Sequence, residues 1–381
     1  MGVSAALQCD GTPLAETMRT LFLVNTPAHA HLYRYPIQAL QDRGHSVLAL
    51  ARDHGCTTSL LDWFELPYEC YGSHESTGNP VSMARSILGQ FVSIISRSRS
   101  FDPAVVFGRG QYAALAGTVT GAPTVLVLDD EPSSLNHTIS KPFADLILSP
   151  AATRRTLGRR HYTFDGFTES AYLHPSVFSP AASVRSALGL GPDERFVLLR
   201  FNAHEALHDR GLRGFSRPQR ARLIETLAEE ARVIVSDESE SVDLSGLPAT
   251  RFDAHPARIH DAIAAASLVV ADTGTIVIEG ALIGTPTIRY RGTDRREYGE
   301  FESLTEAGIL EEYDRFQPLL DRSRAILADP SCGKRWKDRR DTIVAGQPDV
   351  TGLIVTVAEN RGLLPPAHPD TTPAVLRAST N

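Results

Sequence analysis

The stretch "ADTGTIVIEGALIGTPTIRY", residues 271–290, decides the fold because it contains a strand–turn–helix–strand unit. An apolar strand ends at its start, two threonines and a glycine follow, and an apolar helix leads into a second strand. In a parallel α/β sheet, ligands collect at the carboxyl ends of strands, where the next helix presents unpaired N–H groups. The stretch therefore predicts a ligand site at this turn.

The turn has the composition of a phosphate-binding site. Thr273, Gly274 and Thr275 are small, Gly274 can take a positive φ, and the threonine hydroxyls can donate to phosphate oxygens. Glu279 lies one turn into the otherwise apolar helix, where its carboxylate can accept hydrogen bonds from a ribose diol. Together they predict a nucleoside diphosphate site. The alternative is a plain strand–helix turn with a threonine N-cap and a surface glutamate.

Short apolar runs alternate with helical patterns over most of the chain. The runs are nearly continuous in apolar residues and end in polar ones, which is typical of strands in a parallel sheet covered on both faces. The alternation pauses after residue 150 and restarts at 195, so two doubly wound sheets are predicted. The predicted strands are 20–25, 46–52, 104–109, 124–130, 145–150, 195–201, 232–237 and 267–272, and the predicted helices are 31–44, 81–100, 217–231, 257–266 and one near 350–360.

The predicted fold class is therefore α/β, with two doubly wound, Rossmann-like parallel-sheet domains facing a cleft. The last residues are rich in Pro and Thr without periodicity, so disorder is expected there. The predicted division is a flexible extension (1–17), an N-terminal acceptor-side domain (18–170), a linker (171–190), a C-terminal nucleotide-side domain (191–345), a C-terminal helix (346–361) and a disordered tail (362–381).

The composition argues against two classes of protein. A net charge of −7 over 381 residues disfavours a dedicated nucleic-acid binder, which would carry a basic surplus. No apolar run approaches the ~20 residues that span a bilayer, and the first residues do not fit a signal peptide. The four cysteines form no C-x-x-C pair, so a reduced, cytoplasmic protein is predicted.

The loop after the first strand, "VNTPAHAHLYRY", supplies candidate catalytic groups. A histidine titrates near neutrality, so His29 or His31 can take a proton from an acceptor hydroxyl or stabilise a departing diphosphate. The alternative is that one histidine caps the helix and the other is solvated.

Two further strand ends of the first domain are expected on the same sheet edge as His29. Arg109 stands between two glycines and can pair with phosphate or an acidic sugar. Asp129, Asp130 and Glu131 can bind sugar hydroxyls or a metal, or act in acid–base catalysis. For any single residue, turn chemistry or a solvated charge is the simpler interpretation.

The first strand of the second domain leads into "LLRFNAHEALHDRG". Arg200, Asn202, His204 and Glu205 are placed to reach a diphosphate across the cleft, and a cation there can replace a metal. The "HEALH" segment has the H-x3-H spacing of a zinc helix but lacks a wider metalloprotease signature and follows a strand directly. No metal site is therefore predicted.

The spacing Glu-x6-Pro, from Glu279 to Pro286, resembles the donor-nucleotide motif of GT-B-fold glycosyltransferases, which MurG-type enzymes and UDP-N-acetylglucosamine 2-epimerases share. The resemblance implies that the amides of residues 273–275 hold the diphosphate and that Glu279 binds the ribose. MurG-like enzymes also place a histidine in the first loop, although their loop is glycine-rich. The epimerases carry a carboxylate where Arg109 stands here, which weighs against simple epimerase chemistry.

A closer resemblance covers residues 19–310. The stretch "NTPAHAHLYRYPIQALQDRGHSVLALARDHGCTTSLLDWFELPYECYG" resembles the start of domain-of-unknown-function family 354. The segment "FDGFTESAYLHPSVFSP" resembles the interdomain stretch of that family, and "VVADTGTIVIEGALIGTPTIR" resembles its C-terminal motif. That family is regarded as GT-B-like, so the resemblance implies the fold rather than a reaction.

Residues and resemblance together predict a glycosyltransferase that binds a nucleoside-diphosphate sugar, UDP-linked by family analogy, and transfers the sugar in glycan or surface-polysaccharide synthesis. The predicted partners are this donor, a lipid-linked or polysaccharide acceptor and a second copy of the chain, without nucleic acid and without a further cofactor. Two alternatives stay open. One is a nucleotide-sugar 2-epimerase or hydrolase on the same fold, and the other is a non-catalytic nucleotide-sugar binder.

The helix predicted over 81–100 carries an apolar stripe, for which core packing is expected. Peripheral contact with the inner face of a membrane, by an enzyme of lipid-linked acceptors, is the alternative. The stripe consists of Met83, Ile87, Leu88, Phe91, Ile94 and Ile95.

Overall fold

The computed structural model describes residues 17–73, 80–129, 138–154, 156–201, 214–237, 242–294, 298–364 and 376–378. Two α/β domains follow each other along the chain, and each contains one sheet of parallel strands flanked by helices. The prediction of two doubly wound parallel-sheet domains is confirmed.

The N-terminal sheet is built from strands β1 to β7 and an added edge strand, β14. These strands are β1 (Arg19–Val24), β2 (Ser46–Asp53), β3 (Tyr68–Ser73), β4 (Val105–Gly108), β5 (Thr124–Val127), β6 (Leu146–Pro150), β7 (His161–Phe164) and β14 (Leu376–Ala378). Their order across the sheet is β14-β7-β6-β5-β4-β1-β2-β3, with β1 to β7 parallel and β14 antiparallel to β7. Its helices are α1 (Pro27–Asp42), α2 (Thr57–Trp63), α3 (Pro80–Phe101) and α4 (Gln111–Thr120).

Two short helices, α5 (Ser170–Leu173) and α6 (Val184–Ala187), connect the domains. The C-terminal strands are β8 (Phe196–Arg200), β9 (Arg232–Ser236), β10 (Ala249–Arg251), β11 (Leu268–Ala271), β12 (Thr287–Tyr290) and β13 (Glu311–Tyr313), in the order β10-β9-β8-β11-β12-β13. The helices are α7 (Arg217–Ala228), α8 (Ile259–Ala265), α9 (Gly274–Ile283), α10 (Gly299–Glu306), α11 (Phe316–Ala328), α12 (Cys332–Val344) and α13 (Val350–Glu359).

Strand β1 shows why the N-terminal sheet is covered on both faces. Successive side chains of a strand point to opposite faces, and Leu21–Val24 are all fully buried. Phe22 packs on the ring of Tyr33 in α1, whereas Leu21 and Leu23 belong to the core on the side of α3 and α4. Each such side chain contributes about 1.5–3 kcal/mol by leaving water, which fixes the strand between two helical layers.

Each sheet has one point at which the strand order reverses. In the N-terminal sheet β1 and β4 are neighbours, and in the C-terminal sheet β8 and β11 are neighbours. Ligands of open parallel sheets bind beside such switch points, at the carboxyl ends of the strands. The chain leaves these ends at Val24, Gly108, Arg200 and Ala271, so the loops predicted to carry the site start at both switch points.

The C-terminal helix α13 returns to the N-terminal domain and packs on α1 and α5. Thr351 Oγ1 donates to the backbone oxygen of Ala171 at 2.7 Å, and Glu359 pairs with Arg43, which follows α1, at 2.9 Å. The helix therefore links the end of the C-terminal domain to the first helix of the chain.

Part of the predicted tail is structured, because Leu376–Ala378 form a strand that pairs with β7. This differs from the disorder expected over 362–381. The predicted flexible extension falls on residues of which 1–16 lie outside the described ranges.

The apolar stripe of α3 is only partly accounted for by the core. Ile94 is fully buried, but Met83, Ile87, Leu88 and Val92 are exposed by 56%, 39%, 63% and 66%. The expectation of core packing is therefore wrong for the N-terminal half of the helix, whose apolar side chains are exposed. No helix in the described ranges is both long and apolar enough to cross a membrane.

We expect Gly284→Ala to destabilise the protein more than Gly44→Ala. Both glycines follow a helix with a left-handed φ, of +86° and +83°, where alanine costs roughly 1–2 kcal/mol. At Gly284 the added methyl also meets Lys337 Cα at 3.3 Å, whereas at Gly44 nothing lies within 4 Å. Equilibrium unfolding in urea measures both variants, and equal losses of stability would contradict the close packing of α12 on the end of α9.

Candidate functional site

The turn between β11 and α9 has an uncapped helix start. Thr273 is the N-cap residue, with φ −112° and ψ 155°, and its side chain makes no capping hydrogen bond. Its Oγ1 is buried and has no hydrogen-bond partner among the described residues. The neighbouring Asp272 is engaged elsewhere, since its Oδ2 accepts from the backbone N–H of Phe215 at 2.9 Å. The amides of the first turn and the Thr273 hydroxyl therefore keep hydrogen-bonding capacity for a ligand.

Gly274 is the first helical residue and does not use the positive φ that glycine permits. A methyl group added there would meet Phe301 of α10 at 3.4 Å, an ordinary van der Waals distance. The fold thus has space for a side chain at Gly274, and the glycine leaves the backbone bare on that side. Thr275, the next residue, is exposed.

Glu279 is buried, which removes the interpretation of a surface glutamate. Its Oε1 accepts from the hydroxyl of Tyr172 in α5 at 2.9 Å and lies 2.9 Å from Nε2 of His260 in α8. Because an ionised carboxylate only accepts, His260 carries its hydrogen on Nε2. Both contacts fall on Oε1, and no described residue hydrogen-bonds to Oε2. The second oxygen therefore keeps hydrogen-bonding capacity for a ligand.

His31 of α1 joins this cluster from the N-terminal domain. Its ring lies 4.5 Å from that of His260 and 5.5 Å from that of Tyr172. Burial lowers the pKa of His31 well below its ordinary value, and the neighbouring side chains of His260 and Arg34 lower it further. A general base must become positively charged, which this environment opposes. The contacts therefore favour a packing role at the domain interface for His31.

His29 lies at the start of α1, at the end of β1, and is also buried. Its Nδ1 accepts a hydrogen bond from the backbone N–H of Asn25 at 3.1 Å. In the neutral ring the hydrogen then sits on Nε2, so Nε2 is a donor. Of the two roles predicted for His29, this tautomer favours stabilising a departing diphosphate over accepting a proton.

Arg109 and Asp129, at the ends of β4 and β5, form an ion pair. Nε of Arg109 also donates to the backbone oxygen of Val127 at 3.0 Å, and Asp129 Oδ2 accepts from Thr168 at 2.8 Å. The expected common sheet edge is therefore present. The guanidinium is anchored to its own sheet and presents only its remaining face to an anion.

Glu169 is a buried acid that sequence reasoning missed, and it precedes α5 in the interdomain stretch. Burial raises its pKa to about 7, and the negative charge of Glu279 adds to the rise, while hydrogen bonds to the ionised carboxylate from its own backbone N–H and from Thr168, and the charge of Arg109, oppose it. The residues Arg109, Asp129, Thr168 and Glu169 thus lead from the N-terminal switch point towards Glu279. The interdomain motif "FDGFTESAYLHPSVFSP" contains both Glu169 and Tyr172, so the resemblance of this motif could have indicated them as site residues.

Several predicted site residues lie outside the described residues. These are Asp130, Glu131, Asn202, His204 and Glu205, and with them the "HEALH" segment. Arg200 is described, and its Nη1 donates to Ser236 in the neighbouring strand β9 at 2.7 Å. Within the described ranges, no group of three or more His, Cys, Asp or Glu side chains is arranged to hold a metal ion.

A cavity of about 490 Å³ lies where the carboxyl ends of β6 and β7 face α10 and the corner between α12 and α13. These strand ends belong to the same sheet edge as Arg109 and Asp129. Arg154 and Glu302 form an ion pair across the cavity, and Gln347 in its wall accepts from Ser170 at 2.7 Å. The cavity is therefore bounded by both domains.

No family model matches the chain. The uncharacterized protein MJ0665 of Methanocaldococcus jannaschii is 24% identical over 190 residues, which make up 47% of this chain and 54% of that protein. The chain thus spans about half the length of the curated relative it matches.

Solved structures resemble most of the chain. The spinosyn forosaminyltransferase SpnP has a TM-score of 0.63 at 15% identity and covers 91% of this chain and 100% of its own. The S. aureus MnaA–UDP complex has a TM-score of 0.61 at 13% identity and covers 91% of this chain and 98% of its own. UDP-GlcNAc 2-epimerase from Neisseria meningitidis bound to UDP-GlcNAc has a TM-score of 0.58 at 13% identity and covers 90% of this chain and 98% of its own. At these identities the likeness shows the fold, which is that of GT-B glycosyltransferases and UDP-GlcNAc 2-epimerases.

Proposed function

We propose that this protein is a glycosyltransferase that binds a nucleoside-diphosphate sugar between its domains and transfers the sugar to an acceptor. The observation that carries the proposal is the turn before α9. It combines uncapped amides, an orphaned buried hydroxyl on Thr273 and a carboxylate, Glu279, with one free oxygen. All three lie on the unit that starts at the C-terminal switch point.

On the donor side, the amides of residues 273–275 and the Thr273 hydroxyl hold the diphosphate, while Glu279 Oε2 accepts from the ribose. Arg200, at the end of β8, adds positive charge beside the diphosphate, and Asn202 and His204, which follow it in the sequence, donate hydrogen bonds to the phosphate oxygens. The nucleotide is UDP, as the names of two structural neighbours suggest. Membership of domain-of-unknown-function family 354 remains our prediction.

On the acceptor side, the acceptor hydroxyl attacks the anomeric carbon, and the bond from that carbon to the diphosphate oxygen breaks. His29 donates from Nε2 to the departing diphosphate, and Arg109 adds positive charge. The proton of the acceptor passes to Asp130 or Glu131, which follow β5 and can act as the base. His31, first considered for this role, instead supports the interface.

The acceptor reaches this centre through the cavity between β6, β7 and α10. Asp165, Glu302 and Glu306 face one cation, Arg154, in its wall. The negative charge of this wall repels an anionic acceptor, and its carboxylates can accept hydrogen bonds from sugar hydroxyls. A glycan acceptor of polysaccharide or lipid-linked type fits this chemistry.

We expect Gly274→Ala to weaken UDP binding at least tenfold without reducing the stability of the free protein. Alanine is the better helix former by about 1 kcal/mol, and its methyl group fits beside Phe301, but it stands where the phosphate approaches. Thermal unfolding with and without UDP measures both effects, because a ligand at 100 times its Kd stabilises by about 2.7 kcal/mol. The control is Gly89→Ala in α3, where nothing lies within 4 Å. If UDP stabilises Gly274→Ala as much as the unchanged protein, the turn at residues 273–275 does not bind the diphosphate.

The second candidate function is nucleotide-sugar 2-epimerisation or hydrolysis, which the epimerase neighbours favour. Arg109 speaks against it, because it is paired with Asp129 at the strand end where epimerases carry a carboxylate. A non-catalytic binder is the remaining alternative.

Incubation with UDP-N-acetylglucosamine alone separates these functions. We expect neither isomerised sugar nor free UDP, because a transferase needs its acceptor, and we expect UDP release once a glycan acceptor is added. Chromatography of the nucleotides and sugars gives the answer. Isomerised sugar would establish the epimerase, UDP without acceptor the hydrolase, and binding without turnover the binder.

The exposed half of α3 favours peripheral contact with a membrane that carries anionic lipids. Over residues 80–101 the helix contains three arginines and no acidic residue, although the whole chain has a net charge of −7. Apolar side chains beside a cation suit an anionic bilayer surface. A cytoplasmic location and a homodimer remain predictions.

We expect Leu88→Asp and Val92→Asp to lower binding to vesicles of anionic phospholipid several-fold, because each replaces an exposed apolar contact with a like charge. Co-sedimentation with anionic and with neutral vesicles measures this. Leu363→Asp, at a residue that is also 63% exposed, is the control. If the unchanged protein does not bind the anionic vesicles, α3 has another partner.

A further inference from the structure

Glu169 stands in an unusual hydrogen-bonding arrangement with Thr168 and Asp129. Thr168 Oγ1 lies 2.8 Å from Asp129 Oδ2 and 3.1 Å from Glu169 Oε2. A hydroxyl has one hydrogen, so it donates fully to only one of two carboxylates at a time. The other contact is favourable only if that carboxyl brings a hydrogen of its own.

The partners of the two acids decide which one is protonated. Asp129 is paired with the guanidinium of Arg109, which stabilises its ionised form. Glu169 is 5% exposed, and the negative charge of Glu279 acts on it from the other domain. Glu169 is therefore the carboxylic acid. In this protonated state Thr168 Oγ1 donates to Asp129 Oδ2, and the carboxyl of Glu169 donates to Thr168 Oγ1; when Glu169 is ionised, Thr168 Oγ1 can donate to its Oε2 instead.

We propose that Glu169 is a positioning residue that holds a proton between the domains, and that this proton keeps the site in the charge state that accepts a nucleoside diphosphate. The inference rests on the proposed function, because it concerns binding of the same anionic ligand.

The charges around Glu169 show how the proton acts. The N-terminal domain contributes Arg109, which is paired with Asp129, and the C-terminal domain contributes Glu279, which itself faces Arg34. The buried His31, His260 and Tyr172 surround Glu279. With Glu169 neutral, the charges beside it from the described part of the N-terminal domain are those of the Arg109–Asp129 ion pair, which cancel. An ionised Glu169 adds a negative charge beside the place where a diphosphate binds.

The pH range follows from the raised pKa of Glu169, which lies at about 7 in the folded protein against an ordinary value of 4.5. Between these values the folded protein binds more protons than the unfolded chain, so stability falls as pH rises through this window. Affinity for a diphosphate falls in turn as pH rises through the folded value, because a charged Glu169 repels the anion.

The test compares the unchanged protein with Glu169→Gln, which is neutral at every pH and can still donate to Thr168. Without ligand, we expect the melting-temperature advantage of Glu169→Gln to grow between pH 4.5 and 7.5. With UDP, we expect the dissociation constant of the unchanged protein, divided by that of Glu169→Gln, to rise from about one at pH 6 to roughly ten at pH 8.5. Taking the ratio cancels the ionisation of UDP itself.

Glu230→Gln, at an exposed residue just after α7, is the matched control and should follow the unchanged protein in both arms. A melting-temperature difference that does not vary with pH would overturn the proton on Glu169. A constant ratio of dissociation constants would overturn its role towards the ligand. If UDP binds none of the proteins at any pH, the proposed function fails and the ligand role falls with it, while the ligand-free arm still decides whether Glu169 holds the proton.

Discussion

The two hydrogen bonds to Oε1 of Glu279 are the interaction on which the rest of the interface depends. They bring together the interdomain helix α5, through Tyr172, and two elements of the C-terminal domain, through His260 and Glu279 itself. A buried carboxylate that lost such a donor would cost about 1–3 kcal/mol or more. Glu279, which we propose as the ribose-binding acid, thus also connects the interdomain helix α5 to the C-terminal domain.

The same combination of roles recurs at the N-terminal switch point. Arg109 is assigned to an anion, yet it is paired with Asp129 and anchored to a backbone carbonyl. Internal partners of this kind lower the cost of burying charge in the absence of a ligand. They also orient the side chains before a ligand arrives, so that less ordering is required on binding.

A GT-B fold by itself does not choose between sugar transfer and epimerisation, because both chemistries occur on it. In our proposal, the choice rests on single groups near the carboxyl ends of the strands and in the interdomain stretch. A histidine whose Nδ1 is occupied by a backbone amide donates rather than accepts, as at His29. At Glu169, the neighbouring hydroxyl of Thr168 donates its hydrogen to Asp129. The carboxyl of Glu169 is therefore the group that carries a proton.

The sequence by itself determined the two parallel sheets, most of their strands and the turn at 273–275, because apolar runs and small residues are local signals. It placed Arg109 at a strand end beside acids for the same reason. Only the tertiary structure decided that Glu279 is buried, since its partner Tyr172 is 107 residues away in the chain. The proton on Glu169 and the exposed half of α3 likewise depend on what packs nearby, and burial and charge at such points come from the assembled fold.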